Sequence, residues 1–404
     1  MIGAEIVVVG GGIAGQALVE ALRARDPEVT IALVCDEPEL PYDRVRLSEL
    51  LISGEPAAEL RLRPDEWYAD AGVQLIRGRA AWARPDRKLL GLYDGTLVGY
   101  DRLALATGSK PLMPPIEGID LEGVHAFRDP ADCEAIRAAA GSVRHAAVIG
   151  GGLLGLEAAR GIAAHGCPVT VVHLMDRLME RQLDARAAAM LRRAMEAKGI
   201  EVHLEAATAA IRGVRHAEAV ELADRRTIKA DLVVVVVGVR PNVELARTAG
   251  LRVDRGIVVD DRLQSSRAGI HAIGECAEHR GVCYGLVEPA YEQARVLAQR
   301  LAGDAAAAYS GSVLATNLKV SGINVFSAGD FLGAPGTETI VLSDPGLDTY
   351  KKLVIADGRL VGAVLYGDTE DGLWYLDLIR SGVSIERMRG DLAFGRVLAE
   401  RMAA

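Results

Sequence analysis

The chain has 404 residues, half of them hydrophobic and a quarter charged, which suits two or three ordinary folded domains and excludes a disordered chain. A net charge of −9 and an aromatic content of 4% argue against a grip on phosphate backbones and against base-stacking platforms, so no nucleic-acid partner is expected. The longest clear apolar run, LVVVVV at 232–237, is strand-sized and far short of the roughly 20 residues that span a bilayer, so no membrane partner is expected either.

In chain order, the pattern alternates between strands and helices, the signature of α/β architecture. Residues 5–9 (EIVVV) read as a strand buried on both faces, followed by the turn GGGIAG at 10–15 and a helix to about Arg25. Residues 29–34 (VTIALV) are the next strand. A strand at 100–109 (YDRLALATGS) ends in small polar residues. The opening unit then recurs: residues 145–149 (HAAVI) lead into GGGLLG at 150–155, a helix to about His165, and a strand at Val169–Val172. A further buried strand is expected at 231–242 (DLVVVVVGVRPN) and a strand-to-turn element at 269–277 (GIHAIGECA), with a helix over 289–301. The Ala-rich stretch DAAAAYSG reads as a linker. Beyond it, ADGR between two alternating runs at 352–365 predicts a β-hairpin, and a short terminal helix is expected from Val383 onward.

The N-terminus enters its first strand with no basic leader, so the expected compartment is the cytoplasm. The five cysteines (Cys35, Cys133, Cys167, Cys276 and Cys283) are odd in number and scattered, with no CxxC pair, which predicts reduced thiols. The chain neighbours of Cys35, Val34 and Asp36, offer no positive charge to lower its pKa, and it is expected to be inert packing. His271, Cys276, His279 and Cys283 have spacings that suggest zinc, but His271 and Cys276 fall on one strand-to-turn element that sets their directions, so no metal is expected.

A Gly-x-Gly-x-x-Gly turn between strand and helix lets the backbone approach a pyrophosphate, and the helix N-terminus aims amides and a positive dipole end at it. One copy is a weak signal; two copies in the same strand–turn–helix–strand context point to two dinucleotide sites. In the first copy Asp36 is the first choice for the adenosine ribose and Glu37 the alternative. In the second copy His173 stands at the equivalent place, with Arg177 and Arg181 nearby, which admits a 2′-phosphate and so leaves NADH or NADPH open. Both arginines read equally well as helix-surface residues.

The order of GGGIAG, ATGS, GGGLLG, GVRP and GIHAIGECA resembles the FAD-dependent pyridine nucleotide reductases, over roughly residues 4–303. PYDRVRLS, LMERQLD, GLVEPAYEQA and the tail LKVSGINVFSAGD with YKKLVIADGRLVGAVLYGD are similar to the flavin-binding N-terminal part of NAD(P)H-dependent nitrite reductase large subunits and to assimilatory nitrate reductase electron-transfer subunits. The resemblance implies an α/β fold with two Rossmann-like dinucleotide-binding domains plus a smaller C-terminal α+β domain. The FAD domain would be discontinuous, 1–112 and 245–305, the NAD(P) domain 113–244 and the C-terminal domain 306–404.

It further implies site residues. Gly10, Gly12, Ile13, Ala14 and Gly15 would hold the FAD pyrophosphate, with Asp36 or Glu37 at the ribose, and Arg44 and Ser48 at the flavin nucleotide. Ala81 would touch adenine through its backbone. Thr107, Gly108 and Arg128 would line the flavin, and Gly274 and Glu275 its ribityl chain, where the superfamily usually has Asp. Glu288 and Pro289 would open the helix aimed at the flavin pyrimidine. Gly150, Gly152, Leu153, Leu154, Gly155, Glu157, His173, Arg181 and Gly238 would form the nicotinamide-nucleotide site. Related ferredoxin-type reductases place a Lys–Glu pair beside the flavin; the matching positions here are Glu49 and Glu157, so that pair cannot form, and Glu49 is expected to face solvent.

No Ser-His-Asp grouping or Walker lysine is present, so the chemistry is expected from the cofactor. The leading expectation is an FAD-dependent reductase that takes hydride from NADH or NADPH and passes electrons to a separate iron–sulfur, sirohaem or molybdenum protein of nitrate or nitrite assimilation. The chain has no iron–sulfur cysteines, haem motif or redox disulfide of its own, which places the acceptor on another polypeptide. A rubredoxin or ferredoxin reductase serving an oxygenase is the alternative, and a flavin-bound interaction or sensor protein the alternative of another class. In that family the C-terminal part covers the flavin's open side and contributes to partner docking or dimerisation, so a homodimer is among the expectations.

Overall fold

The computed structural model describes residues 2–320 and 322–403. Two βαβ elements organise it. The first is β1 (Ile2–Val9), α1 (Ile13–Arg23) and β2 (Ile31–Cys35); the second is β3 (Ala146–Ile149), α2 (Leu153–Ala163) and β4 (Val169–Val172). The inner halves of these strands are buried without alternation, because helices cover both faces of a parallel sheet.

The chain divides into two compact units. One comprises Met1–Leu112, Arg128–Pro130 and Val239–Ser312. Its main sheet runs Val73–Arg77, β2, β1, Leu97–Leu105, Leu89–Leu92, Ala80–Arg84, with Ile270–Ala272 also paired to Leu97–Leu105. β1 lies parallel between β2 and Leu97–Leu105, so the turn after β1 opens where the strand order reverses. The helix Val287–Leu301 packs on α1. The core includes Val7, Val8, Leu18, Leu33, Leu103 and Leu297.

The other unit comprises Met113–Phe127, Ala131–Gly238 and Val313–Ala404. Its parallel sheet runs Ile200–His203, β4, β3, Leu232–Val235, Val124–Ala126. The same unit carries an antiparallel C-terminal sheet in the order Ala315–Val320, Ile323–Gly329, Arg359–Tyr366, Thr349–Ala356, Glu338–Asp344. The helix Gly372–Ser381 covers it, around buried Phe326, Leu353, Leu365 and Tyr375. The architecture is thus α/β with parallel sheets and a C-terminal sheet domain.

The ADGR turn forms the expected hairpin between Thr349–Ala356 and Arg359–Tyr366. Asp357 and Gly358 both have positive φ, 49° and 66°, as a two-residue turn matched to strand twist requires. Three expectations are corrected. The strand expected over 100–109 ends at Leu105, and Ser109–Pro111 forms a separate short strand beyond Gly108. The strand expected over 231–242 likewise breaks: Leu232–Val235 stops before Gly238, and Val239–Pro241 pairs with Ser109–Pro111. The terminal helix begins at Arg396 and not near Val383, because Ser384 bridges to Arg359 and Gly395 takes φ 93°. Among the described residues no helix is long and apolar enough to cross a membrane.

Candidate functional site

Each Gly-rich turn closes against a neighbouring strand of its own sheet. Gly10 has φ +118°, and a Cβ there would lie 2.1 Å from the Ala106 carbonyl oxygen; Gly150, at +126°, would meet that of Val236 at the same distance. Gly15 and Gly155 allow the helix to start against the turn, since a Cβ at either would sit 2.0 Å from the carbonyl oxygen of Gly10 or Gly150. Gly12 and Gly152 differ. They are the N-caps of α1 and α2, neither helix has a side-chain cap, and a Cβ at either would meet nothing within 4 Å. The first-turn amides of Ile13, Ala14 and Gly15, and of Leu153, Leu154 and Gly155, therefore begin beside open space. Both turns fit a bound pyrophosphate, which needs unpartnered amides, a positive dipole end and no side chain in the way.

The register makes the two folds comparable residue by residue. Val9 pairs with Val34 in the first, and Ile149 with Val172 in the second. Cys35 therefore corresponds to His173, and Asp36 and Glu37 correspond to Leu174 and Met175. This corrects by one residue the sequence-based match of His173 to the ribose carboxylate. Cys35 and His173 both fold over the middle glycine: a Cβ on Gly11 would lie 2.5 Å from Cys35 Sγ, and one on Gly151 would lie 2.7 Å from His173 Cγ. Burial first, and then Asp36, push the Cys35 thiol up to about 12.

Asp36 is exposed, whereas Glu37 is half-buried and fully engaged. Tyr42 Oη donates to Glu37 Oε2 at 2.7 Å, and Arg44 Nη2 donates to Glu37 Oε1 at 2.5 Å. The Arg44 guanidinium also lies 4.8 Å from the Tyr42 ring centroid, and its Nη1 donates to the Arg128 carbonyl at 2.7 Å. Burial works against the Arg44 charge, but Tyr42 and Glu37 outweigh it and raise its pKa; burial raises that of the Tyr42 phenol. Arg128 Nη2 donates to Glu275 Oε2 at 2.6 Å and to Ser109 Oγ at 2.9 Å, and Ser109 donates to the same Glu275 oxygen at 2.6 Å. One polar network thus links the end of β2 to the Gly274–Cys276 turn. Two cations and two carboxylates keep it near neutral.

The remaining candidates lie as follows. Ser48 is half-buried in the helix Leu47–Ser53, and Glu49 is exposed with Arg46 Nη2 at 2.6 Å. Ala81 is a bulge residue: Ala80 pairs with Leu92 and Trp82 with Gly91, so the ladder skips Ala81. Thr107 Oγ1 donates to the Asn242 carbonyl at 2.7 Å, and Gly108 has φ +64° with open space at its Cβ position. Gly274 lies against α1, where its Cβ would be 2.8 Å from Ala14 Cβ, and its amide donates to buried Gln293 Oε1 at 2.7 Å. Glu288 is exposed and Pro289 buried in the first turn of Val287–Leu301, a helix with no side-chain cap. Glu157 is half-buried on α2, and Gly238, φ +124°, is exposed. His173 Nδ1 accepts from the Gly151 amide at 3.0 Å, while Arg181 is 86% exposed. Among the described residues no cluster of His, Cys, Asp and Glu is arranged to hold a metal ion.

Sequence reasoning named neither Tyr42, Ser109, Gln293 nor Glu180 as site residues. Tyr42 and Ser109 stand inside quoted motifs, PYDR and ATGS. Gln293 and Glu180 likewise stand inside GLVEPAYEQA and LMERQLD, but nothing in either motif indicates the direction of the side chain, and only tertiary packing aims Gln293 at the Gly274 amide.

Comparison with known proteins agrees with this architecture. Residues 4–300 match the family model described as pyridine nucleotide-disulphide oxidoreductase, and residues 315–383 match the rubredoxin NAD+ reductase C-terminal domain. The chain is 43% identical over 383 residues to a nitrite reductase [NAD(P)H] of Bacillus subtilis, covering 94% of this chain and 48% of the relative. It is 39% identical to the assimilatory nitrate reductase electron transfer subunit of the same organism, covering 92% and 49%. The chain thus spans about half the length of these curated relatives. Among solved structures, the ferredoxin reductase for the CYP199A2 system of Rhodopseudomonas palustris superposes with a TM-score of 0.88 at 30% identity, covering 99% of this chain and all of that one. These matches make FAD and NADH or NADPH the cofactors. The chain is an oxidoreductase and belongs to the pyridine nucleotide-disulphide oxidoreductase family.

Proposed function

We propose that this chain is an FAD-dependent NAD(P)H reductase that passes electrons to a separate redox protein of nitrate or nitrite assimilation. The observation that carries the reductase reading is the pair of equivalent open, uncapped Gly-rich turns, one in each parallel-sheet fold. In this reading the first fold takes FAD and the second the nicotinamide nucleotide. When bound, FAD would supply the redox chemistry, hydride transfer from the nicotinamide and electron delivery to the acceptor.

The protein's own groups bind and orient. Gly10, Gly12 and Gly15 admit the pyrophosphate to the amides of α1. Exposed Asp36 is free to take the ribose, because Glu37 is already engaged by Tyr42 and Arg44. The unpaired backbone of Ala81 suits adenine. Arg128 and Ser109 hold the Glu275 carboxylate in place for the ribityl hydroxyls, and the longer side chain of Glu is accommodated by that clamp. The uncapped end of Val287–Leu301 offers a positive dipole end to negative charge on the flavin pyrimidine.

The nitrate or nitrite assignment rests on likeness to the two Bacillus subtilis proteins. A ferredoxin acceptor serving an oxygenase is the second reading, favoured by full-length likeness to the CYP199A2-system reductase. Rapid mixing of the flavin-loaded protein with NADH and NADPH tests the common part: loss of the visible flavin band is expected, and its absence with both nucleotides sinks the reductase reading. Turnover with a nitrite reductase partner but not with a ferredoxin would support the first acceptor; the reverse result would support the second.

A further inference from the structure

We infer that the second nucleotide fold selects NADH over NADPH, and that the Glu180 carboxylate makes the selection; this rests on the reading that the fold binds a nicotinamide nucleotide. The two nucleotides differ at the adenosine ribose, as a 2′-hydroxyl or a 2′-phosphate. In dinucleotide folds a carboxylate following the second strand accepts from the hydroxyl and repels the phosphate.

At the places matching Asp36 and Glu37 the second fold has Leu174 and Met175, which are 65% and 43% exposed and offer no acceptor. The carboxylate comes instead from the next turn. Gly151, the middle glycine, is tied to that turn on both sides: its amide donates to His173 Nδ1 at 3.0 Å, and its carbonyl accepts from the Met179 amide at 3.0 Å. Met179 is buried with φ +50°, a left-handed conformation unusual for a side chain of its size, and it directs the next residue back toward the Gly-rich turn. With Nδ1 of buried His173 accepting, the ring proton belongs to Nε2, which donates to Glu180 Oε2 at 3.2 Å. His173 is therefore a positioning residue, and Glu180 the acceptor it holds at the rim of the cradle.

The nearby cations do not provide a phosphate seat. Arg177 Nη1 is bound to both carboxylate oxygens of Asp176, at 3.0 and 3.2 Å. Arg181 is 86% exposed, and its Nε lies 3.9 Å from Glu180 Oε1. A 2′-phosphate here would meet the Glu180 charge, whereas a 2′-hydroxyl would donate to it.

Calorimetric titration of the flavin-loaded protein with ADP-ribose and with its 2′-phosphate tests the inference, beside kcat and KM for NADH and NADPH. The unmodified protein should bind ADP-ribose at least about tenfold more tightly than the 2′-phosphate, the scale of one hydrogen bond to a charged group. Glu180→Gln removes the charge at nearly constant shape. It should narrow that ratio by about tenfold, through KM and not kcat, with an unchanged thermal unfolding curve. His173→Gln should narrow the ratio in the same sense. Equal affinity in the unmodified protein, or an unchanged ratio in Glu180→Gln, overturns the selection while leaving the nucleotide reading intact. Binding of neither ligand overturns both.

Discussion

The Tyr350 hydroxyl donates to Asp184 Oδ2 across 2.6 Å, and both residues are buried. Asp184 is at the same time the N-cap of the helix Ala185–Ala197, its Oδ1 accepting from the Ala187 amide at 3.0 Å. Arg186 lies over the Tyr350 ring and donates to Ser343 Oγ at 2.8 Å. One carboxylate therefore starts a helix of the parallel-sheet fold and anchors a strand of the C-terminal sheet, within a single compact unit.

Tyr350→Phe should cost about 1.5–3 kcal/mol, the worth of a buried hydrogen bond to a charged acceptor. Asp184→Ala should cost more, about 2–4 kcal/mol, because it also removes the helix cap and leaves the phenol unsatisfied. Chemical denaturation of the two variants checks the order. Equal losses would mean that the cap carries no weight.

Gly12 and Gly152 separate folding from nucleotide binding. Both have φ near −80°, at −81° and −79°, with room for a Cβ, so alanine at either should cost only about 1 kcal/mol of stability. The added methyl group would occupy the space a pyrophosphate needs. Gly12→Ala should be purified with little FAD, as read from the visible absorbance per chain. Gly152→Ala should retain FAD but be reduced slowly by NADH. Full flavin content in Gly12→Ala would refute the placement.

His271 predicts an acid-sensitive step in stability. It sits on Ile270–Ala272 beside Ala104 of Leu97–Leu105, and burial lowers its pKa to about 4. The unfolded chain binds this proton at the ordinary value near 6.5, so the fold holds fewer protons than the unfolded state between the two values. The stabilising contribution is complete above about pH 6.5. It drains as pH falls toward 4, by on the order of 3 kcal/mol. His271→Leu should flatten denaturation midpoints over that range; an unchanged slope would exclude His271 as its source.

Thiol reactivity should be confined to one position. Cys35, Cys133, Cys167 and Cys276 are buried, and Cys283 is partly exposed. Burial also raises the Cys283 pKa, so its reaction with an aromatic disulfide reagent near neutral pH should be slow. Native protein should titrate Cys283 alone and denatured protein all five cysteines. A Cys283→Ser variant that still titrates natively would contradict the packing.

The two dinucleotide folds were legible because their determinants are local. A β-branched run, a Gly-x-Gly-x-x-Gly turn and an apolar helix lie within about thirty residues of each other and impose the same backbone wherever they occur. The ADGR hairpin is equally local. The strand breaks at Gly108 and Gly238 were not legible, because the runs LALATGS and VVVVVGVRP remain apolar or small across the break. Only their mutual pairing as Ser109–Pro111 and Val239–Pro241 reveals it.

Length, composition and the duplicated glycine turn by themselves determined an α/β chain with two dinucleotide sites, and the resemblance of its motifs to a known family added the oxidoreductase reading; backbone conformation and helix-terminus charge follow from short stretches of chain. The tertiary structure decided what surrounds each turn. It showed that Glu37 is spent on Tyr42 and Arg44, that Arg128 and Ser109 clamp Glu275, and that buried His173 lies between the Gly151 amide and the Glu180 carboxylate. Those relationships join residues distant in sequence or turned by a left-handed Met179, and hydrogen-bond direction is set by packing that no local pattern encodes.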